Sequence, residues 1–166
     1  MLWVCRPGVN ALYYEYFLVT ERVFMAWEGY KTDLSVLQTR EQFRQLVIDE
    51  KGDAPRTSIS NWSGQLYSFC REMAVGDYVL VPSKGSHTYT LARIDGEYEY
   101  NPQDDKMLWH SRKIKILMDN IPRNIFSQSL QYSLGAYRTV FKIKNDAELL
   151  LTIKQYRAKK KYEKNG

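Results

Sequence analysis

Residues 57–73, TSISNWSGQLYSFCREM, constrain the fold more than any other stretch. Ile59, Trp62, Leu66, Phe69 and Met73 recur at helical spacing and form one apolar stripe. Ser58, Asn61, Gln65, Ser68 and Glu72 form a polar stripe beside it. A helix with one apolar face needs a surface to cover it. The next segment, VGDYVLVPS (75–83), offers one: a Gly-Asp turn running into an apolar strand. Gly64 interrupts the helix at a cost of about 1 kcal/mol relative to alanine. Its presence is read as room for a backbone or a base to come close.

The flanking segments read as short strands with helices between the early ones. LWVCR (2–6) is a buried strand stopped by Pro-Gly. ALYYEYFLV (11–19) is a helix, and RVFMAW (22–27) is a strand ended by EGY. TREQFRQLVIDEK (39–51) is a helix capped by Thr39, with Phe43, Leu46 and Val47 at helical spacing. TYTLARIDGEYEYN (88–101) is a strand, a bend near Asp95-Gly96 and a second extended run. HSRKIKILM (110–118) alternates basic and apolar residues like a half-buried strand. PRNIFSQSLQYSLG (122–135) is a short helix or two turns, RTVFKI (138–143) a last strand, and Asp146 to about Lys160 a terminal helix. Five or six short strands in this order do not make a doubly wound sheet. They predict an α+β fold: a small, mostly antiparallel β-barrel with helices packed around it.

The chain has 166 residues, the size of one ordinary domain, and a net charge of +5. That excess favours a polyanionic partner only mildly, because it is uneven. KQYRAKKKYEK (154–164) carries six basic residues against one acidic, which leaves the body neutral. This tail is either a phosphate contact or a solvated helix end or linker. Thirteen tyrosines suit either a wet recognition surface or a small barrel core. Cys5 and Cys70 are expected to be buried thiols. No signal peptide and no run of 18 apolar residues is present, so a cytoplasmic protein with no membrane partner is expected.

Catalytic chemistry is hard to assemble from these residues. His87 lies in the turn KGSHTY and His110 begins a strand, and neither belongs to a nucleophile or metal motif. Acid-x-Lys triplets occur in VIDEKG and QDDKML, on a helix end and in a loop, whereas metal-dependent nucleases place them on adjoining strands. A binding module rather than an enzyme is expected, with no cofactor and no metal.

SNWSGQLYSFCREMAVGDYVLVP followed by TLARIDGEYEYNP resembles the helix–GD–strand–strand core of EVE-like domains of the PUA superfamily. The resemblance extends to the N-terminal domains of Mrr-type, modification-dependent restriction endonucleases. LWVCRPG, FMAWEGYKTDLS, NWSGQ, HSRKIKIL and IPRNIFSQSLQYSLGAYRTVF follow in the same order, over residues 2–143. The resemblance implies an EVE-like domain over 1–143 and a basic helix or linker over 144–166. It implies recognition of a modified base in DNA, flipped into an aromatic pocket, on behalf of a nuclease in restriction or defence. The chain carries no such nuclease domain, so it reads as an excised domain or a stand-alone reader. An RNA-binding PUA-type module and a nucleotide or small-molecule sensor that regulates a nuclease are the alternatives.

Such a reader needs aromatic faces, an amide or backbone groups for the base edge, and basic residues for phosphates. Trp27, at a strand end beside a Glu-Gly turn, is either a stacking ring or core. Asn61 and Gln65 match the motif of the resembled family and are expected at the base edge or framing the pocket; capping or solvation is the other reading. Trp62 is read mainly as an anchor of its helix, with its edge toward the pocket, and Gly64 sits beside it. Pro82 and Ser83 are expected at the rim. Tyr98 and Tyr100 share one face and form either a pocket wall or sheet packing. Lys84, Arg93, Lys113 and Lys115 are the phosphate candidates.

Overall fold

The first strand, β1 (Leu2–Cys5), is apolar throughout because both of its sides are covered. Trp3 and Cys5 enter one core, Leu2 and Val4 another. The same alternation runs along β3 (Tyr78–Pro82), with Val79 and Val81 opposed to Leu80. In β4 (Thr88–Ile94), Ala92 and Ile94 oppose Tyr89 and Leu91. Successive strand side chains point to opposite faces, so unbroken apolar runs mark a sheet buried on both.

The computed structural model describes residues 1–165. The remaining strands are β2 (Arg22–Phe24), β5 (Glu99–Tyr100), β6 (His110–Pro122) and β7 (Val140–Lys142). They form one sheet in the order β2-β6-β4-β3-β1-β7, with β5 also paired to β6. Every pairing is antiparallel except β1 with β3. Register shifts near Leu91 bend the β4–β6 pair, as bulges do.

The sheet curls into a half-barrel that stays open between its edges. Among the described residues no backbone ladder joins β2 to β7. Side chains bridge the seam instead. Trp27 Nε1–H donates to Thr139 Oγ1 at 3.0 Å, and the Cys5 thiol lies 3.6 Å from the Phe24 carbonyl.

Helices cover the two faces. α1 (Tyr14–Thr20), α2 (Arg40–Lys51) and α3 (Arg56–Tyr67) bring Phe17, Phe43, Val47, Ile59 and Leu66 to the first core. α4 (Gln128–Leu134) and α5 (Asp146–Asn165) bring Leu130, Leu134, Leu149 and Ile153 to the second. Thr39 caps α2 reciprocally with Gln42, as its position predicts. α3 does not run unbroken to Met73: it widens into a π turn over Ser68–Glu72. The turn keeps Phe69, Cys70 and Met73 buried, while Trp62 is half-buried at the edge of the stripe. Arg112, wholly buried, donates to the carbonyls of Phe69, Met73 and Gly96 and so caps that turn.

Some expectations shift. The described residues hold seven strands rather than five or six, and β6 runs to Pro122. The first helix starts at Tyr14 because Asn10 (φ 55°) and Ala11 (φ 54°) adopt left-handed backbone. Gly76 turns into β3 at φ 95°, where Asp77 accepts from the Ala74 N–H and Trp3 Nε1–H. Burial pushes the thiols of Cys5 and Cys70 up to about 12, which makes them poor nucleophiles. The basic tail is the outer half of α5, exposed beyond the docked Ile153. Among the described residues no helix is long and apolar enough to cross a membrane.

Candidate functional site

Strand direction gathers the site. β1 and β3 run parallel and β7 runs against β1, so the chain leaves β1 at Arg6, leaves β3 after Pro82 and enters β7 from Thr139 at one end of the sheet. Curling brings Trp27 to the same place. α3 is pinned across it by Gln65, whose Oε1 accepts from the backbone N–H of Thr139 at 2.9 Å and of Val140 at 3.0 Å. Between these elements the seam opens into a cleft of about 790 Å³. Small-molecule sites span roughly 300–1,000 Å³.

The polar groups of the cleft divide into spent and unspent. Gln65 is buried; besides the two bonds its Oε1 accepts, one of its two Nε2 hydrogens goes to Asn61 Oδ1 at 2.5 Å. That bond fixes the orientation of Asn61 and leaves its Nδ2 donors without a partner among the described residues. Ser83 is spent on Thr88: it donates to that carbonyl at 3.0 Å and bonds the Thr88 N–H and hydroxyl. Trp27 and Trp62 contribute half-buried rings. The charged side chains lining the cleft are Arg6 and Arg138; no aspartate or glutamate lines it among the described residues. The site therefore combines flat apolar walls, free N–H donors and positive charge.

Of the residues expected in a pocket, Trp27, Asn61, Trp62, Gln65, Pro82 and Ser83 meet here. Gln65 holds α3, β7 and Asn61 in place and so frames the cleft. Gly64 does not line the cleft. A Cβ there meets nothing within 4 Å, so no close approach of the chain itself demands glycine. Tyr98 and Tyr100 are not in the cleft wall either. They pack against His110 with their planes near parallel to the imidazole, at centroid separations of 5.8 and 5.4 Å. His110 Nε2 faces the Tyr30 carbonyl at 2.8 Å and so carries the proton. Nδ1 then accepts from the Tyr98 hydroxyl at 2.5 Å, whose oxygen accepts from the Leu34 N–H. Burial lowers the imidazole pKa below its ordinary value.

The phosphate candidates separate as well. Arg93 stacks on Tyr78 and donates to its hydroxyl at 2.9 Å, and Lys115 pairs with Arg93 across the sheet. Lys113 packs beside Gly96 on the same strand as Lys115. Tyr78 and Pro82 are the two ends of β3, about 13 Å apart at the usual rise of a strand. These three cations therefore lie at the other end of the sheet from the cleft. Lys84, exposed and next to Ser83, is the candidate that stays near it.

Sequence reasoning missed Arg6, Arg138 and Tyr137. Arg6 and Arg138 flank the ends of β1 and β7, which come together only through the long-range antiparallel pairing of those strands. The Arg-Pro-Gly after β1 was a readable signal that the chain turns there.

Fold and cleft together define an α+β domain whose half-barrel sheet opens into a cleft at its seam. The chain belongs to the family described as a domain of unknown function (DUF8426), whose family model matches residues 5–144. That span includes all of the cleft-lining residues. No curated protein matches the sequence.

Proposed function

We propose that this chain is a nucleic-acid recognition module that takes one base, turned out of its stack, into the seam cleft. The observation that carries this reading is the pairing of two tryptophan rings with the unspent amide of Asn61 in a cleft whose charges are all positive. A flipped base costs a few kcal/mol to extrude. Stacking on an aromatic ring returns about 1–3 kcal/mol. The Nδ2 donors of Asn61 select for acceptor atoms on the base edge, and Arg138 suits the adjoining phosphate. In this reading the half-barrel is a PUA/EVE-like barrel, the base is a modified base of DNA, and the module directs a nuclease carried elsewhere.

The test is a panel of short duplexes, identical except for one methylated, hydroxymethylated or unmodified base, titrated at several salt concentrations. One modified duplex is expected to bind at least about tenfold tighter than the unmodified one, a difference of about 1.4 kcal/mol. Affinity is expected to fall as salt rises. Asn61→Asp, which keeps the acceptor for Gln65 but removes the free donors, is expected to erase the preference. Equal affinity across the panel contradicts the reading.

A further inference from the structure

A second groove lies beside the cleft. It is lined by Arg123, Gln128, Gln131, Tyr132 and Tyr137, among others, and Tyr137 borders both hollows. The tyrosine that divides them is fully exposed, and Tyr132 is 87% exposed. A ring left wholly in water contributes nothing to the core, yet this one is held in place. Arg6 donates to the carbonyls of Leu134, Ala136 and Arg138, at 3.2, 2.9 and 2.9 Å, and so braces the short loop that presents Tyr137. The charged side chains of both hollows are Arg6, Arg138 and Arg123; among the described residues no carboxylate lines either.

We infer that a single-stranded nucleic acid runs along this track, with the base beside the captured one stacked on Tyr137 and the next on Tyr132. The inference rests on the proposed base-holding role of the cleft and specifies its substrate as a strand unpaired on that flank. Stacking on exposed rings is sequence-tolerant, because every base has a π face. Arg138 and Arg123 are spaced along the same path and face its phosphates. A duplex with one flipped base keeps its neighbours paired and stacked, and leaves both tyrosines unused.

Fluorescence anisotropy separates the two substrates. The probes are fluorescein-labelled ten-nucleotide single strands, each carrying one central modified base from the panel above, and hairpins of the same sequences. Single strands are expected to bind at least about fivefold tighter than hairpins if even one extra base stacks. Tyr132→Ala, a change of a solvent-exposed side chain, is expected to weaken single strands by roughly 5- to 150-fold and hairpins hardly at all. Arg123→Gln is expected to reduce the salt slope for single strands by about 0.7. Hairpins bound as well as single strands, or Tyr132→Ala without effect, overturn the inference; if binding then still responds to Asn61→Asp, the base-holding role of the cleft stands without the track. Binding of neither probe overturns both.

Discussion

Two aromatic clusters in this molecule differ in what their polar groups do. Around His110 the rings close on one another, and the imidazole, the Tyr98 hydroxyl and the Trp109 indole are all bonded. Tyr98 and Tyr100 pack against the imidazole, whose nitrogens bond the Tyr30 carbonyl and the Tyr98 hydroxyl, and Trp109 Nε1 donates to the Gln103 carbonyl. At the seam, Trp27 and Trp62 line open space, and Asn61 keeps donors without a partner among the described residues. Aromatic residues mark both regions alike. What separates a filled core from a candidate site is unsatisfied hydrogen-bonding capacity beside an empty volume.

The contrast can be broken first on the filled side. Arg112, two residues along β6 from His110, gives donors to three carbonyls in the interior. Arg112→Met is expected to cost about 3 kcal/mol or more, since each orphaned buried acceptor costs about 1–3 kcal/mol. Urea unfolding measures it, and an unchanged midpoint contradicts the assignment. Tyr98→Phe is next. It leaves His110 Nδ1 and the Leu34 N–H without partners, at about 1–3 kcal/mol.

The same cluster predicts a pH dependence. Burial lowers the folded pKa of His110 below its ordinary 6.5, so the unfolded chain binds the proton more tightly. This contribution is whole above about pH 6.5 and is lost as the pH falls below it toward the folded value. Unfolding curves at pH 7.5 and 5.5 are expected to show lower stability at the acid end, and His110→Gln is expected to flatten that difference.

The smallest stability effect belongs to the open side. Asn61 is exposed, and Asn61→Asp preserves the acceptor for Gln65, so stability is expected to move by no more than about 0.5 kcal/mol. A large loss of nucleic-acid binding with so little loss of stability separates recognition from packing.

Much of the fold was legible because periodicity carries it. The stripe through Ile59, Leu66, Phe69 and Met73 and the Thr39 cap depend on residues near one another in the chain. The candidate site was legible only where it falls on those elements. Asn61, Trp62 and Gln65 came with the helix, and Trp27 and Pro82 with strand ends. For Tyr98 and Tyr100 the sequence left pocket wall and sheet packing open, because alternation shows a shared face but not what that face meets, which here is His110. Arg93, Lys113 and Lys115 look like a basic strand face in sequence, yet the register puts them at the end of the sheet away from the cleft. Arg6, Arg138 and Tyr137 join the cleft only through long-range pairing of β1 with β3 and β7, which no local pattern announces.

The four tryptophans allow the comparison to be tested directly. The indole N–H of Trp3 is held by Asp77 and that of Trp109 by Gln103, both away from the cleft, whereas Trp27 and Trp62 line it. Nitrogen-15 spectra of the indole groups, recorded while a modified-base oligonucleotide is titrated in, report on all four at once. The Trp27 and Trp62 signals are expected to shift together and saturate with the oligonucleotide, while those of Trp3 and Trp109 stay in place. Shifts confined to Trp3 or Trp109, or four unmoved signals at saturating oligonucleotide, contradict the base-holding role of the cleft.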